Sequence, residues 1–115
     1  MTRERLHELT ALVRAEADRV TAPKSREYTR GNADALHNFK SIALRLGMEP
    51  HQVLAVYFYK HLDALFSMAD GSADFAALSE SPAGRAADAH NYLDLLFGLI
   101  VERMSDTQQT VWGLQ

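Results

Sequence analysis

Apolar side chains recur at three- and four-residue spacing along most of this 115-residue chain, and nowhere do they alternate in the two-residue rhythm of a strand. Helical periodicity without a Val-, Ile- or Thr-rich alternation closed by hairpin turns predicts an all-α fold and no β-sheet. Leu6, Leu9, Leu12, Val13 and Val20 form the stripe of an amphipathic N-terminal helix over residues 1–20. Residues 21–31, with Pro23 and Gly31 near opposite ends and the cations Lys24, Arg26 and Arg30 among them, read as a loop.

The helical core is expected over residues 32–104. Asn32 is a suitable N-cap for a second helix whose Ala33, Leu36, Phe39, Ala43 and Leu46 share one side, and Gly47 supplies its left-handed end. Pro50 opens a third helix in which Leu54, Phe58, His61, Leu65 and Met68 follow a four-three-four-three spacing up to Asp70-Gly71. Ser72 to Ser81 reads as a loop with one helical turn around Asp74 to Leu78. Ser81-Pro82 then caps a fourth helix running to about Met104. From Tyr92 to Val101 that helix is apolar around most of its circumference, which places it at the centre of a bundle or at a subunit interface. In the tail, residues 105–115, Val111, Trp112 and Leu114 either dock on the domain or a partner subunit or belong to a frayed end.

A chain of this length supports one domain, and short connections suit an antiparallel bundle of about four helices. The net charge of −3 comes without any run of Lys or Arg, which argues against a polymeric nucleic acid as partner but leaves room for a small anion. With no cysteine, disulfides, thiolate metal sites and a Cys nucleophile are excluded. The N-terminal residues lack an uninterrupted apolar stretch, so no signal peptide or membrane anchor is expected and the cytoplasm is the default location.

Chemistry must come from polar groups on apolar helices. Two stretches echo one another: Asp34-Ala35-Leu36-His37-Asn38-Phe39 and Asp88-Ala89-His90-Asn91-Tyr92. Asp88, Asn91, Tyr92 and Leu95 fall on one side of their helix, where so apolar an element offers no solvated face. Lys60-His61 interrupts the aromatic run Tyr57, Phe58 and Tyr59, with Asp63 just beyond. Against these stand plainer readings. His61 on the apolar seam is first a hydrogen-bonded core histidine; Asp34, Asn38, Ser41 and Arg45 make a solvated stripe with His37 at its edge; the tyrosines are core. Lys24, Arg26 and Arg30, with Tyr28 between them, hold a phosphate or are merely hydrated. A divalent-metal hydrolase of the all-α kind needs carboxylates in Glu-x-x-Glu pairs, and none is present; Glu4 and Glu8 are four apart and Asp34, Asp63 and Asp88 are scattered.

The run Tyr28-Thr29-Arg30-Gly31-Asn32-Ala33-Asp34-Ala35-Leu36-His37-Asn38-Phe39-Lys40-Ser41-Ile42-Ala43, then Lys60-His61-Leu62, then Asp88-Ala89-His90-Asn91-Tyr92-Leu93, resembles small phage and prophage proteins grouped as nucleotide modification associated domain 1. Those are similar in turn to the MazG-like all-α nucleotide pyrophosphohydrolases. The resemblance spans Tyr28 to Arg103. It implies an oligomeric helical bundle with a nucleotide-sized pocket lined by Asn38, Lys60, Asp88 and Asn91, while the missing glutamate pairs put hydrolysis in doubt.

The expectation is a small-nucleotide-binding protein that sequesters or senses its ligand without turnover, in the host cytoplasm if phage-encoded. Lys60, with Arg26 or Arg30, meets phosphate; Asn38 and Asn91 read base or ribose edges; Tyr57 or Tyr92 stacks; His37 and His61 add hydrogen bonds. No metal ligand and no cofactor are expected in this reading. The alternatives are a Mg²⁺-dependent pyrophosphohydrolase using Asp34, Asp63 and Asp88, and a structural or partner-binding bundle.

Overall fold

Leu6 to Val20 do lie on one helix, and that helix does not stop at Val20. The computed structural model describes residues 1–21 and 30–115 with their side chains, and residues 22–29 only as part of a helix. Five helices follow in order: α1 (Arg3–Thr29), α2 (His37–Leu46), α3 (Pro50–Ala69), α4 (Pro82–Glu102) and α5 (Asp106–Val111). Among the described residues there is no strand, so the protein is all-α. No helix is long and apolar enough to cross a membrane among those residues.

The loop expected at 21–31 is the first correction: α1 runs through it to Thr29. That expectation rested on Pro23 as a breaker, but the intervening Lys24, Arg26 and Glu27 have high helix propensity. The chain turns where the backbone itself is left-handed, at Arg30 (φ 53°) and Gly31 (φ 75°). The second correction concerns α2, which begins at His37 with Leu36 as its N-cap, not at Asn32. Asn32 and Asp34 spend their side chains locally. Asn32 Oδ1 accepts from the Asp34 amide at 2.8 Å and Asp34 Oδ1 from the Leu36 amide at 2.9 Å, which holds the segment in Asx turns rather than a helix.

The other boundaries follow from chemistry visible in the chain. Gly47 at φ 64° ends α2, and the Met48 amide donates to the Ala43 carbonyl at 2.9 Å. Pro50 takes the first turn of α3, where the Glu49 amide donates to Gln52 Oε1 at 2.9 Å. Ser81 Oγ accepts from the Gly84 amide at 2.9 Å and so caps α4. The expected helical turn near Asp74 is a turn and no more, with the Ala77 amide donating to the Asp74 carbonyl. The tail is more ordered than a frayed end: Ser105 and Gln108 cap each other reciprocally to start α5. Gln109 Nε2 reaches back to the Val101 and Met104 carbonyls at 3.3 Å each. Trp112 nevertheless stays exposed.

Helix α4 touches both α1 and α3, and α2 packs on α3. The buried centre is small: Leu36, Phe39, Ala43, Val53 and Leu54, with Ile42, Phe58, Tyr92, Leu95, Leu96 and Leu99 packed against it. Gly98 of α4 faces the Leu36 side chain in the turn before α2, where an added Cβ would make an ordinary 3.8 Å contact. At the far end Lys40 ties α2 to α4, its Nζ donating to Asp34 at 2.7 Å and to Glu102 at 2.9 Å.

Candidate functional site

On α3, Tyr57 and His61 are one helical turn apart; on α4, Arg85, Asp88 and Tyr92 follow at three and four residues. The α3–α4 contact brings these two short stripes together. His61 and Asp88 are the two polar side chains that end up buried among the described residues, at 7% and 8% exposure. His61 Nδ1 lies 3.3 Å from Arg85 Nη1 and 3.8 Å from Asp88 Oδ2. Glu80, in the turn that precedes the Ser81 cap, completes the set through a 3.1 Å ion pair from its Oε2 to Arg85 Nε. The His61 ring is stacked against Tyr92 at 5.3 Å, and Tyr92 is also packed by Phe39, Tyr57 and Phe58.

The protonation of this cluster follows from its neighbours. Burial pushes the His61 pKa below its ordinary 6.5, the Asp88 carboxylate opposes that shift, and the Arg85 and Lys60 charges add to it. A guanidinium can only donate, so His61 Nδ1 is the acceptor and the neutral ring carries its proton on Nε2. Among the described residues the cluster therefore brings together one guanidinium, two carboxylates and a neutral imidazole.

The structure distributes the residues singled out from sequence unevenly. His61, Asp88 and Tyr92 come together, and Tyr57 borders them with its ring partly exposed. Lys60 does not join them: it is one residue out of step with His61, so it points around the helix and is exposed. Asn91 faces the other way, toward α1. Its Nδ2 donates to the Ala17 carbonyl at 3.2 Å and its Oδ1 accepts from Thr21 Oγ1 at 3.1 Å, which makes it a clamp between α1 and α4. Asn38 and His37 are half-buried on α2, and no hydrogen bond joins either to the cluster among the described residues. Arg30 is exposed at the turn after α1. Arg26, with Lys24 and Tyr28, lies outside the described residues. Asn38, Lys60, Asp88 and Asn91 therefore do not converge; among the described residues Asp88 lies instead with His61, Glu80 and Arg85.

Asp34, Asp63 and Asp88 do not meet. Asp34 is held by Lys40, Asp63 is exposed on α3 and Asp88 is buried beside His61. Glu80 and Arg85 were passed over in the sequence because a single Glu before a capping Ser and a single Arg in a first turn are ordinary helix-start residues. For Arg85 the signal is the four-three-four register of Ser81, Arg85, Asp88 and Tyr92; Glu80 lies outside that register and leaves no such signal. A separate groove of about 630 Å³ between the ends of α2, α3 and α4 is lined by Lys40, His51, Leu96, Leu99 and Arg103 among others, but it is wide open and shares no residue with the cluster.

Comparison with known proteins finds no matching family model, no matching curated relative and no matching solved structure.

Proposed function

We propose that this chain is a subunit of a homo-oligomer of antiparallel helical bundles, and that it binds a small nucleotide at the α3–α4 polar cluster without hydrolysing it. The observation that supports the reading is a buried His–Asp pair bound up with Arg85 and Glu80 on helices that are otherwise apolar. Desolvating such groups costs more than packing hydrocarbon in their place, and groups kept at that cost concentrate where ligands are recognised. The mixture suits the ligand class. Arg85 offers a forked donor for phosphate oxygens, Asp88 and Glu80 accept from ribose hydroxyls or an exocyclic amine, and the partly exposed Tyr57 ring offers a face for a base. Arg85 thus takes the role expected of Lys60. Binding without turnover fits the separation of Asp34, Asp63 and Asp88, which leaves no pair of metal-bridging carboxylates from that set.

Surface area supports the oligomer. The chain exposes 8345 Å², whereas a folded monomer of its 12.8 kDa exposes roughly 6,300 Å². The excess of about 2,000 Å² exceeds what one partner contributes to a standard interface, about 800 Å². Leu93, Phe97 and Ile100 form an exposed stripe on α4, and Val56, Tyr59 and Phe66 another on α3.

A panel of nucleoside mono-, di- and triphosphates, titrated calorimetrically with and without added divalent cation, tests the binding. At least one nucleotide is expected to bind and to be recovered intact, and Arg85→Gln is expected to weaken it by at least about tenfold, the value of one charge-assisted hydrogen bond. A flat response across the panel contradicts the reading.

A further inference from the structure

The donor atoms at the cluster also match a different kind of ligand. One nitrogen and two carboxylate oxygens, from His61, Glu80 and Asp88, lie within 4.8 Å of one another. Ligands of a four-coordinate Zn²⁺ at about 2.0–2.2 Å stand roughly 3.3 Å apart, so the 3.8 Å between His61 Nδ1 and Asp88 Oδ2 needs little closure. Glu80 has the larger distance to cover and the freedom to do it, since its side chain is 43% exposed in a turn.

Two further features distinguish this set from a surface group of acids. The Nδ1 lone pair of His61 already points into the cluster, because Arg85 can only donate to it, so the nitrogen is in the form a metal requires. The cluster also already holds a positive charge: the Arg85 guanidinium sits against His61 and Glu80 where a metal ion would sit. We propose that His61 Nδ1, Glu80 and Asp88 form a binding site for one Zn²⁺-class divalent ion, and that Arg85 is the internal cation which yields its place. An imidazole beside two carboxylates favours Zn²⁺ or Co²⁺ over Mg²⁺. Tyr92 stacks on the imidazole and holds its plane as the ion enters. Three protein ligands leave a coordination position for water or, if the nucleotide reading also holds, for a phosphate oxygen.

The test is titration of the chelator-stripped full chain with Co²⁺ followed by visible absorption, with Zn²⁺ competition and native mass spectrometry for stoichiometry, all without nucleotide. The expected result is one ion per chain. Glu80→Gln, an exposed position whose replacement spares the fold, weakens binding at least about tenfold. Arg85→Gln, which removes the competing cation, strengthens it by at least about tenfold. His61→Ala abolishes the absorption band. No ion retained by the wild type and by Arg85→Gln, or an affinity unchanged by Glu80→Gln, overturns the proposal. Because nucleotide is absent, failure here is separate from failure of nucleotide binding, which is read by its own titration.

Discussion

Arg85 shows how one side chain sets the character of a site. Remove it and, among the described residues, His61 Nδ1 loses its donor and Glu80 its ion-pair partner. Its neighbour His61 makes stability depend on pH. The folded pKa lies below the ordinary 6.5, so below that value the unfolded chain takes up a proton that the folded chain resists. The contribution is complete above pH 6.5 and is lost as pH falls through the depressed folded value. Urea midpoints of the chelated protein should therefore fall between pH of about 7.5 and about 5, and His61→Gln should flatten that part of the curve. An identical slope in the variant contradicts the assignment. Asn91 carries a different burden. Asn91→Ala removes both side-chain bonds to α1, which should cost about 1 kcal/mol in urea unfolding while leaving ligand affinity within about twofold. Sequence reasoning reached Asp88 and Asn91 together because they share a helix side; that one turns to α3 and the other to α1 is decided by three-dimensional packing, which periodicity cannot resolve.

At the scale of the element, punctuation was legible and extent was less so. Gly47, Pro50, Asp70-Gly71 and Ser81-Pro82 mark boundaries the structure respects, since each acts through its own backbone geometry or cap. The start of α2 differs from the sequence expectation because Asn and Asp serve equally well as N-caps and as Asx-turn residues, and only the next turn of chain decides between them. Pro23 and α1 present the converse case, with a breaker outweighed by its surroundings. Gly47 provides the sharpest check on this level. Its φ of 64° is left-handed, so Gly47→Ala should destabilise by about 1 kcal/mol although nothing lies near the added methyl. A neutral effect on the thermal midpoint indicates a different end to α2.

The whole molecule is loose for its size. Its radius of gyration is 16.4 Å, against about 13 Å for a compact chain of this length, and its buried apolar centre is small. An apolar α4 was expected to be central or interfacial; Leu95, Leu96 and Leu99 pack inward, which bears out the central placement, while Leu93, Phe97 and Ile100 remain exposed and carry the proposed interface. Sedimentation equilibrium should find an assembly larger than one chain, and Phe97→Glu should shift it toward monomer by at least about tenfold in dissociation constant, because a charge would be buried at the contact. A wild-type protein that stays monomeric at high concentration contradicts the oligomer.

The proposal that a nucleotide binds between α3 and α4 is tested most directly by two-dimensional amide and side-chain NMR of the labelled protein during titration. The largest shifts are expected at His61, Glu80, Arg85, Asp88 and Tyr57, with Lys60, Asn38 and Arg30 moving little. Shifts centred instead on Lys40, His51 and Arg103, or none at all, would contradict the placement of the site between α3 and α4.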